Sequence, residues 1–252
     1  MKPVIALDFD GVICDSLEEC LVTAHNAYHR LESSDHWANS TADIKPEVAD
    51  SFRRLRHYAR NAPELWLIMY WAITEGKDLD QAQYDALRSR YASRLLAFEP
   101  IFFESRHVLS SADLDRWLGL HRMYPEFRDG WEEVKGRFPT HIVTTKDLIS
   151  VQYFNRHWRL GIPDEHLWTK ERALAKGEIV QRIAVESGRP IQNVLFVDDH
   201  PHHVREVAVT GARCFWASWG FLGARGNGPV AGEGEVFTKI SRLADLKPYL
   251  YS

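Results

Sequence analysis

The chain has 252 residues, enough for one large domain or for a domain carrying a smaller inserted one. With 45% hydrophobic and 26% charged residues, its composition excludes the disordered and fibrous classes. A formal charge of −4, from 31 basic and 35 acidic residues, gives no reason to expect nucleic acid or an acidic membrane as partner.

Cys14, Cys20 and Cys214 form no CxxC pair, and an odd count argues against a disulfide framework, so a reducing cytoplasm is the expected home. The first apolar run is cut at Asp8 without a small-residue cleavage site, unlike a signal peptide. The strongest internal apolar stretch, "LWLIMYWAI" at 65–73, falls short of the roughly 20 residues that span a bilayer and reads as a buried helix.

In chain order, "PVIALDF" at 3–9 predicts a buried strand that runs straight into Asp8 and Asp10. Gly11 permits a tight turn after the second acid. Ser16 with Glu19 then predicts a capping box at the start of a helix. More than a hundred residues follow with hardly any strand signal. "SFRRLRHYARNAPELWLIMYWA" supplies helix on either side of Pro63, and Tyr84, Leu87, Tyr91, Leu95 and Phe98 form one stripe of a helix expected over 78–98. The segment "YPEFRDGWEEVKGRF" predicts a helix leading back to strands at 140–145, 192–197 and 213–217, with helical patterns between them. Pro201 suits a first helical turn and Gly211 the end of that helix.

That alternation predicts an α/β fold: a Rossmann-like, doubly wound parallel sheet with an inserted α-helical domain. The expected division is 1–15 with 120–252 for the core and 16–119 for the insertion.

In such a sheet the ligand site lies beyond the carboxyl ends of the strands, where Asp8/Asp10, Thr144/Thr145 and Asp198/Asp199 fall. Alternation places Asp8 and Asp10 on one side and Phe9 on the other. Carboxylates so placed repel unless a cation intervenes, and a hard ion with oxygen ligands, Mg²⁺, resolves the conflict, with Asp199 and Asp198 completing the set. Asp8 is then the expected nucleophile toward phosphorus and Asp10 the acid and base. Thr144 is expected to donate to a phosphoryl oxygen, and a lysine to supply positive charge.

These segments resemble the haloacid dehalogenase superfamily of phosphohydrolases, with "DFDGVICDS", "HIVTTKD" and "LFVDDHPHHV" as its first, second and fourth motifs. The resemblance implies a third-motif lysine. Lys176 is favoured because the helix after it runs into "NVLFVDD", and Lys170 is the rival. It also implies Mg²⁺ held by Asp8, Asp10 (through its backbone carbonyl), Asp199 and Asp198, a mobile helical cap over the site, and a small phosphorylated metabolite as substrate. Val12 replaces a commoner threonine, and the loop at 220–234 is unusually glycine-rich. Retention of Asp10 points to phosphoryl chemistry and away from the dehalogenases proper.

Gly11, Thr144 and Lys176 are the expected substrate contacts in the core. Arg53, Arg56 and Arg60 form a basic face whose ordinary reading is solvation; the sharper reading is that Arg56, or Arg106 in "FFESRH", grips an anionic group of the substrate. His200, His202 and His203 lack the i, i+4 spacing of a helical zinc pair and read as a solvated helix start. A monomer or homodimer is expected. Two alternatives stay open: a phosphomutase on a sugar phosphate using the same core, and a catalytically silent phosphate-binding module.

Overall fold

The computed structural model describes residues 2–221 and 236–251, so the glycine-rich stretch noted at 220–234 lies, beyond Phe221, outside the described residues. The chain divides into two compact units, Ser16–Arg122 and Met1–Asp15 with Met123–Ser252. The helical unit thus extends to Arg122, because His121 is still buried against Trp117, their rings 4.6 Å apart.

The helical unit comprises α1 (Leu17–Leu31), α2 (Pro46–Leu55), α3 (Leu65–Thr74), α4 (Gln81–Arg90), α5 (Ala92–Ala112) and α6 (Leu114–Gly119). α3 is the apolar stretch, and its first five residues are all buried. The helix expected over 78–98 is two helices that part at Tyr91. Asp80 caps the first by accepting from the Gln83 amide at 2.8 Å, and Pro100 sits inside the second. Of the predicted stripe, Tyr84, Leu95 and Phe98 are buried.

The capping box expected at Ser16 and Glu19 does not form: Ser16 makes no side-chain cap. Glu19 is spent elsewhere. Fully buried, it accepts from Thr23 Oγ1 at 2.7 Å and from two guanidinium nitrogens of Arg106 at 2.8 Å each.

The second unit holds a six-stranded sheet. Its strands are β1 (Val4–Leu7), β4 (Thr140–Val143), β5 (Leu167–Trp168), β6 (Val194–Asp198), β7 (Arg213–Ala217) and β8 (Thr238–Ile240); Cys14–Asp15 (β2) and Arg122–Met123 (β3) are short extended pieces outside it. The order is β5-β4-β1-β6-β7-β8, and every pairing is parallel. β5 and β8 escape sequence reading because two or three residues carry no periodicity. From β1 the chain builds outward in both directions, so the strand order reverses there and opens a crevice at its carboxyl end.

Helices cover both faces: α7 (Pro125–Val134), α8 (Leu148–His157), α9 (Lys176–Glu186) and α10 (Pro201–Ala208). Ile179, Val180 and Ile183 of α9 and Val204 and Val207 of α10 bury against Val4, Ala6 and Phe196 of the sheet. On the opposite face Phe9 packs against Phe154 and Trp158, with centroids 5.6 and 6.2 Å away. These contacts fix the carboxyl ends of β1 and β6, where the acids stand. Among the described residues, no helix is long and apolar enough to cross a membrane.

Candidate active site

β1 ends at Leu7, and the ladder continues for one more bond, the Asp8 amide donating to the Val197 carbonyl at 2.9 Å. The next residues turn sharply: Gly11 has φ +90°, its amide donates to the Cys14 carbonyl, and the Cys14 amide donates back to Phe9. A Cβ at Gly11 would overlap the Asp199 carboxylate, so glycine both permits the turn and lets β6 bring its acid against it. Asp199 is held by the Phe221 amide, which donates to its Oδ2 at 3.0 Å, and by Trp216, whose indole donates to its carbonyl at 2.8 Å.

Asp8 is 7% exposed and Asp198 wholly buried, and one ammonium serves both. Lys176, the first residue of α9, places Nζ 2.9 Å from Asp8 Oδ2 and 2.7 Å from Asp198 Oδ2. The His200 amide donates to the other Asp198 oxygen at 2.8 Å. Burial pushes the Asp8 carboxyl up and Asp198 adds to it, so that in spite of Lys176 it stands at about 6. Burial also penalises charge on Asp198 and on Lys176, but their mutual attraction prevails, leaving Asp198 below and Lys176 above their ordinary values. Asp198 therefore claims the lysine, and Asp8 is the carboxylate left with the unresolved cost.

The core residues singled out in the sequence, Asp8, Asp10, Gly11, Thr144, Lys176, Asp198 and Asp199, all stand at the carboxyl ends of β1, β4 and β6 or on the first turn of α9. Thr144 is buried, and its hydroxyl accepts from the Lys146 amide at 3.1 Å, leaving its own proton to donate. Lys170 is exposed, whereas Lys176 is buried beside Asp8.

Two further residues enter the site. Lys146, just before α8, is buried with Nζ 3.1 and 3.3 Å from the two Asp10 oxygens. Its position two residues beyond Thr144, on the same strand end, was the available signal. His203 is not part of a solvated helix start: its side chain is 13% exposed and Nδ1 lies 3.4 Å from Asp198 Oδ2. It sits one turn into α10, on the face that carries Val204 and Val207 inward.

Arg56 and Arg106 belong to the helical unit, and the structure gives each a local use. Arg56 donates to the Ala59 carbonyl at 2.7 Å, tying off the end of α2. Arg106 is corrected more strongly: its guanidinium, 5% exposed, is committed to Glu19 in a two-pronged pair and stacks over Phe102, 4.8 Å from the ring centre.

The donor set suits a hard divalent cation. Asp8, Asp10, Asp198 and Asp199 bring four carboxylates against two ammonium groups, and the surplus negative charge falls where Asp8 is pushed up. Asp8, Asp198 and His203 place ligand atoms within 4.8 Å of one another, and no other such group of three or more occurs among the described residues.

No protein-family model matches the sequence, and no curated protein matches it. Solved structures do match. A hydrolase of the haloacid dehalogenase superfamily, subfamily IA, variant 1, from Geobacter sulfurreducens covers 99% of this chain and 96% of its own at 15% identity, with a TM-score of 0.55. A predicted phosphoglycolate phosphatase from Haemophilus somnus covers 98% and 97% at 16% identity, with a TM-score of 0.63. CbbY from Rhodobacter sphaeroides, solved in complex with phosphate, covers 98% and 96% at 15% identity, with a TM-score of 0.58. The chain therefore has the fold of haloacid dehalogenase-like hydrolases. At these identities the likeness speaks for the fold alone, and the chemistry has to be argued from the side chains.

Proposed function

We propose that the protein is a Mg²⁺-dependent phosphohydrolase that cleaves a phosphomonoester of a small metabolite through an aspartyl-phosphate on Asp8. The observation that carries this reading is the position of Asp8: a buried carboxylate at a strand end, pushed up to about 6, sharing its one lysine with Asp198. Its oxygens are met by the Phe9 amide, 2.7 Å from Oδ1, and by that shared ammonium, whereas a structural acid would have a cation of its own.

An Asp8 carboxylate oxygen attacks phosphorus while the bond to the leaving oxygen breaks, and Asp10 gives its proton to that oxygen. Water then attacks the phosphorus of the acyl phosphate, Asp10 takes the proton, and inorganic phosphate leaves with Asp8 restored. Lys146 beside Asp10 holds its carboxyl group in place. Lys176 and Thr144 hold phosphoryl oxygens through an ammonium and a hydroxyl. Asp8, Asp199, Asp198 and the Asp10 carbonyl would hold Mg²⁺, whose contribution is to neutralise charge on carboxylate and phosphoryl oxygens. The likeness to a predicted phosphoglycolate phosphatase from Haemophilus somnus and to CbbY in complex with phosphate supports a phosphate ester as substrate.

Purified protein incubated with Mg²⁺ and a panel of phosphorylated sugars, acids and nucleotides should release free phosphate from at least one compound. Interconversion of isomers without net phosphate would replace hydrolysis by mutase chemistry. Binding with neither product across the panel would overturn the enzyme reading.

A further inference from the structure

The i, i+4 pair of imidazoles that the histidines after β6 lack is present on α1. His25 and His29 lie one turn apart with ring centroids 4.4 Å from each other, and His36, from the loop that follows, brings its ring to 4.9 Å from His29. All three line a cavity of about 390 Å³ in the helical unit, together with Asp35 and Asp43. The Nδ1 atoms are engaged on their own side: His29 with Ser34 Oγ at 2.7 Å and His25 with Asn26 Oδ1 at 3.4 Å. Nδ1–H donated to those oxygens fixes the tautomer and leaves the Nε2 lone pairs for a ligand, the arrangement that orients metal-binding histidines.

We propose that His25, His29 and His36 form a binding site for a borderline divalent ion of the Zn²⁺, Ni²⁺ or Cu²⁺ type. Imidazole nitrogen favours such ions over Mg²⁺, and two imidazoles at i, i+4 give a chelate on a rigid helix. Asp35 supplies an oxygen donor from the same cavity, whereas Asp43 is spent on the Asn39 and Ser40 amides, each at 2.9 Å from its Oδ2. Lys45 also lines the cavity, opposite in sign to these two acids. Burial lowers both His25 and His29 below the ordinary imidazole value, so the pair is neutral and able to ligate at neutral pH. The three rings do not hold nitrogens within 4.8 Å of one another without the ion. The helical pair is thus the primary chelate, and exposed His36 turns in as the third ligand. The carboxylates at the end of β1 are a separate centre of harder donors.

The test uses the full chain stripped with a chelator and kept in saturating Mg²⁺, so that the carboxylate centre is occupied or blocked. Titration with Zn²⁺ by calorimetry, and with Co²⁺ by its visible absorption bands, should show one equivalent bound with nitrogen ligation. His29→Gln, at a half-buried position, should weaken Zn²⁺ by roughly 100-fold and His36→Gln by roughly tenfold, with circular dichroism unchanged. Absence of a bound equivalent in Mg²⁺ would overturn the site, as would equal Zn²⁺ affinity in folded His29→Gln and wild type.

Discussion

Two buried carboxylates, one in each unit, are handled in opposite ways. Glu19 on α1 has no exposure and no unmet need: a two-pronged guanidinium, the Thr23 hydroxyl and His121 at 3.8 Å surround it. Asp8 at the end of β1 has a lysine that Asp198 also claims, and its carboxyl is pushed up to about 6. A satisfied ion pair specifies packing, whereas an acid that must share its one cation keeps capacity for something that arrives later. The difference separates a structural acid from a candidate catalytic one without appeal to any relative.

The largest effect that could break this contrast is on turnover. Asp8→Asn should lower phosphate release from the preferred substrate by roughly 10⁶-fold, the scale seen when a covalent nucleophile is removed. Its melting temperature should not fall, because the change removes a carboxylate that burial already penalises. Normal turnover in a folded Asp8→Asn protein would end the nucleophile assignment. Glu19→Gln should do the reverse. With Arg106 left buried beside a neutral group, denaturant unfolding should show a loss of about 3–5 kcal/mol, while kcat of the folded fraction stays within about twofold. A Glu19 variant that kept full stability but lost turnover would reverse the two roles.

The contrast was half legible in the sequence. Asp8, Asp10, Thr144 and the Asp198/Asp199 pair could be read because each ends an apolar run, and a parallel sheet sends every such end to the same edge. Lys176 was legible for a related reason, since it opens the helix that leads into β6. Lys146 was not, because just before a helix an ammonium reads as a solvated border residue as readily as a partner for Asp10. Glu19 was misread for a deeper reason. Three residues after a serine, its local rule is the capping box, but Arg106 lies 87 residues away in sequence and a single buried pair outweighs a cap. The same long-range pairing removes Arg106 from the residues that sequence alone would offer to a substrate. Local patterns place side chains on a face; which of two partners claims a charge is decided by contacts that periodicity does not carry.

A third buried group answers the same problem by staying neutral, and it gives the smallest of the expected effects. His141 on β4 is buried and stacks on His166 at 4.0 Å, and its Nδ1 accepts from the Trp168 indole at 3.1 Å. An accepting Nδ1 carries no proton, so the ring is neutral with hydrogen on Nε2. Burial first, and His166 second, lower its value from 6.5 to about 3. The unfolded chain takes up a proton near pH 6.5 and the folded chain does so only near pH 3, so this group's share of stability is full above pH 6.5 and is lost as pH falls through that window. Between pH 6.5 and 5 the loss should be about 2 kcal/mol. Urea unfolding at both pH values, for wild type and His141→Asn, isolates this share from that of the other histidines, since the variant should show a shallower pH dependence. Equal dependence in the two proteins would mean that His141 is protonated in the folded chain, and that burial on β4 does not enforce neutrality as it enforces pairing at Glu19.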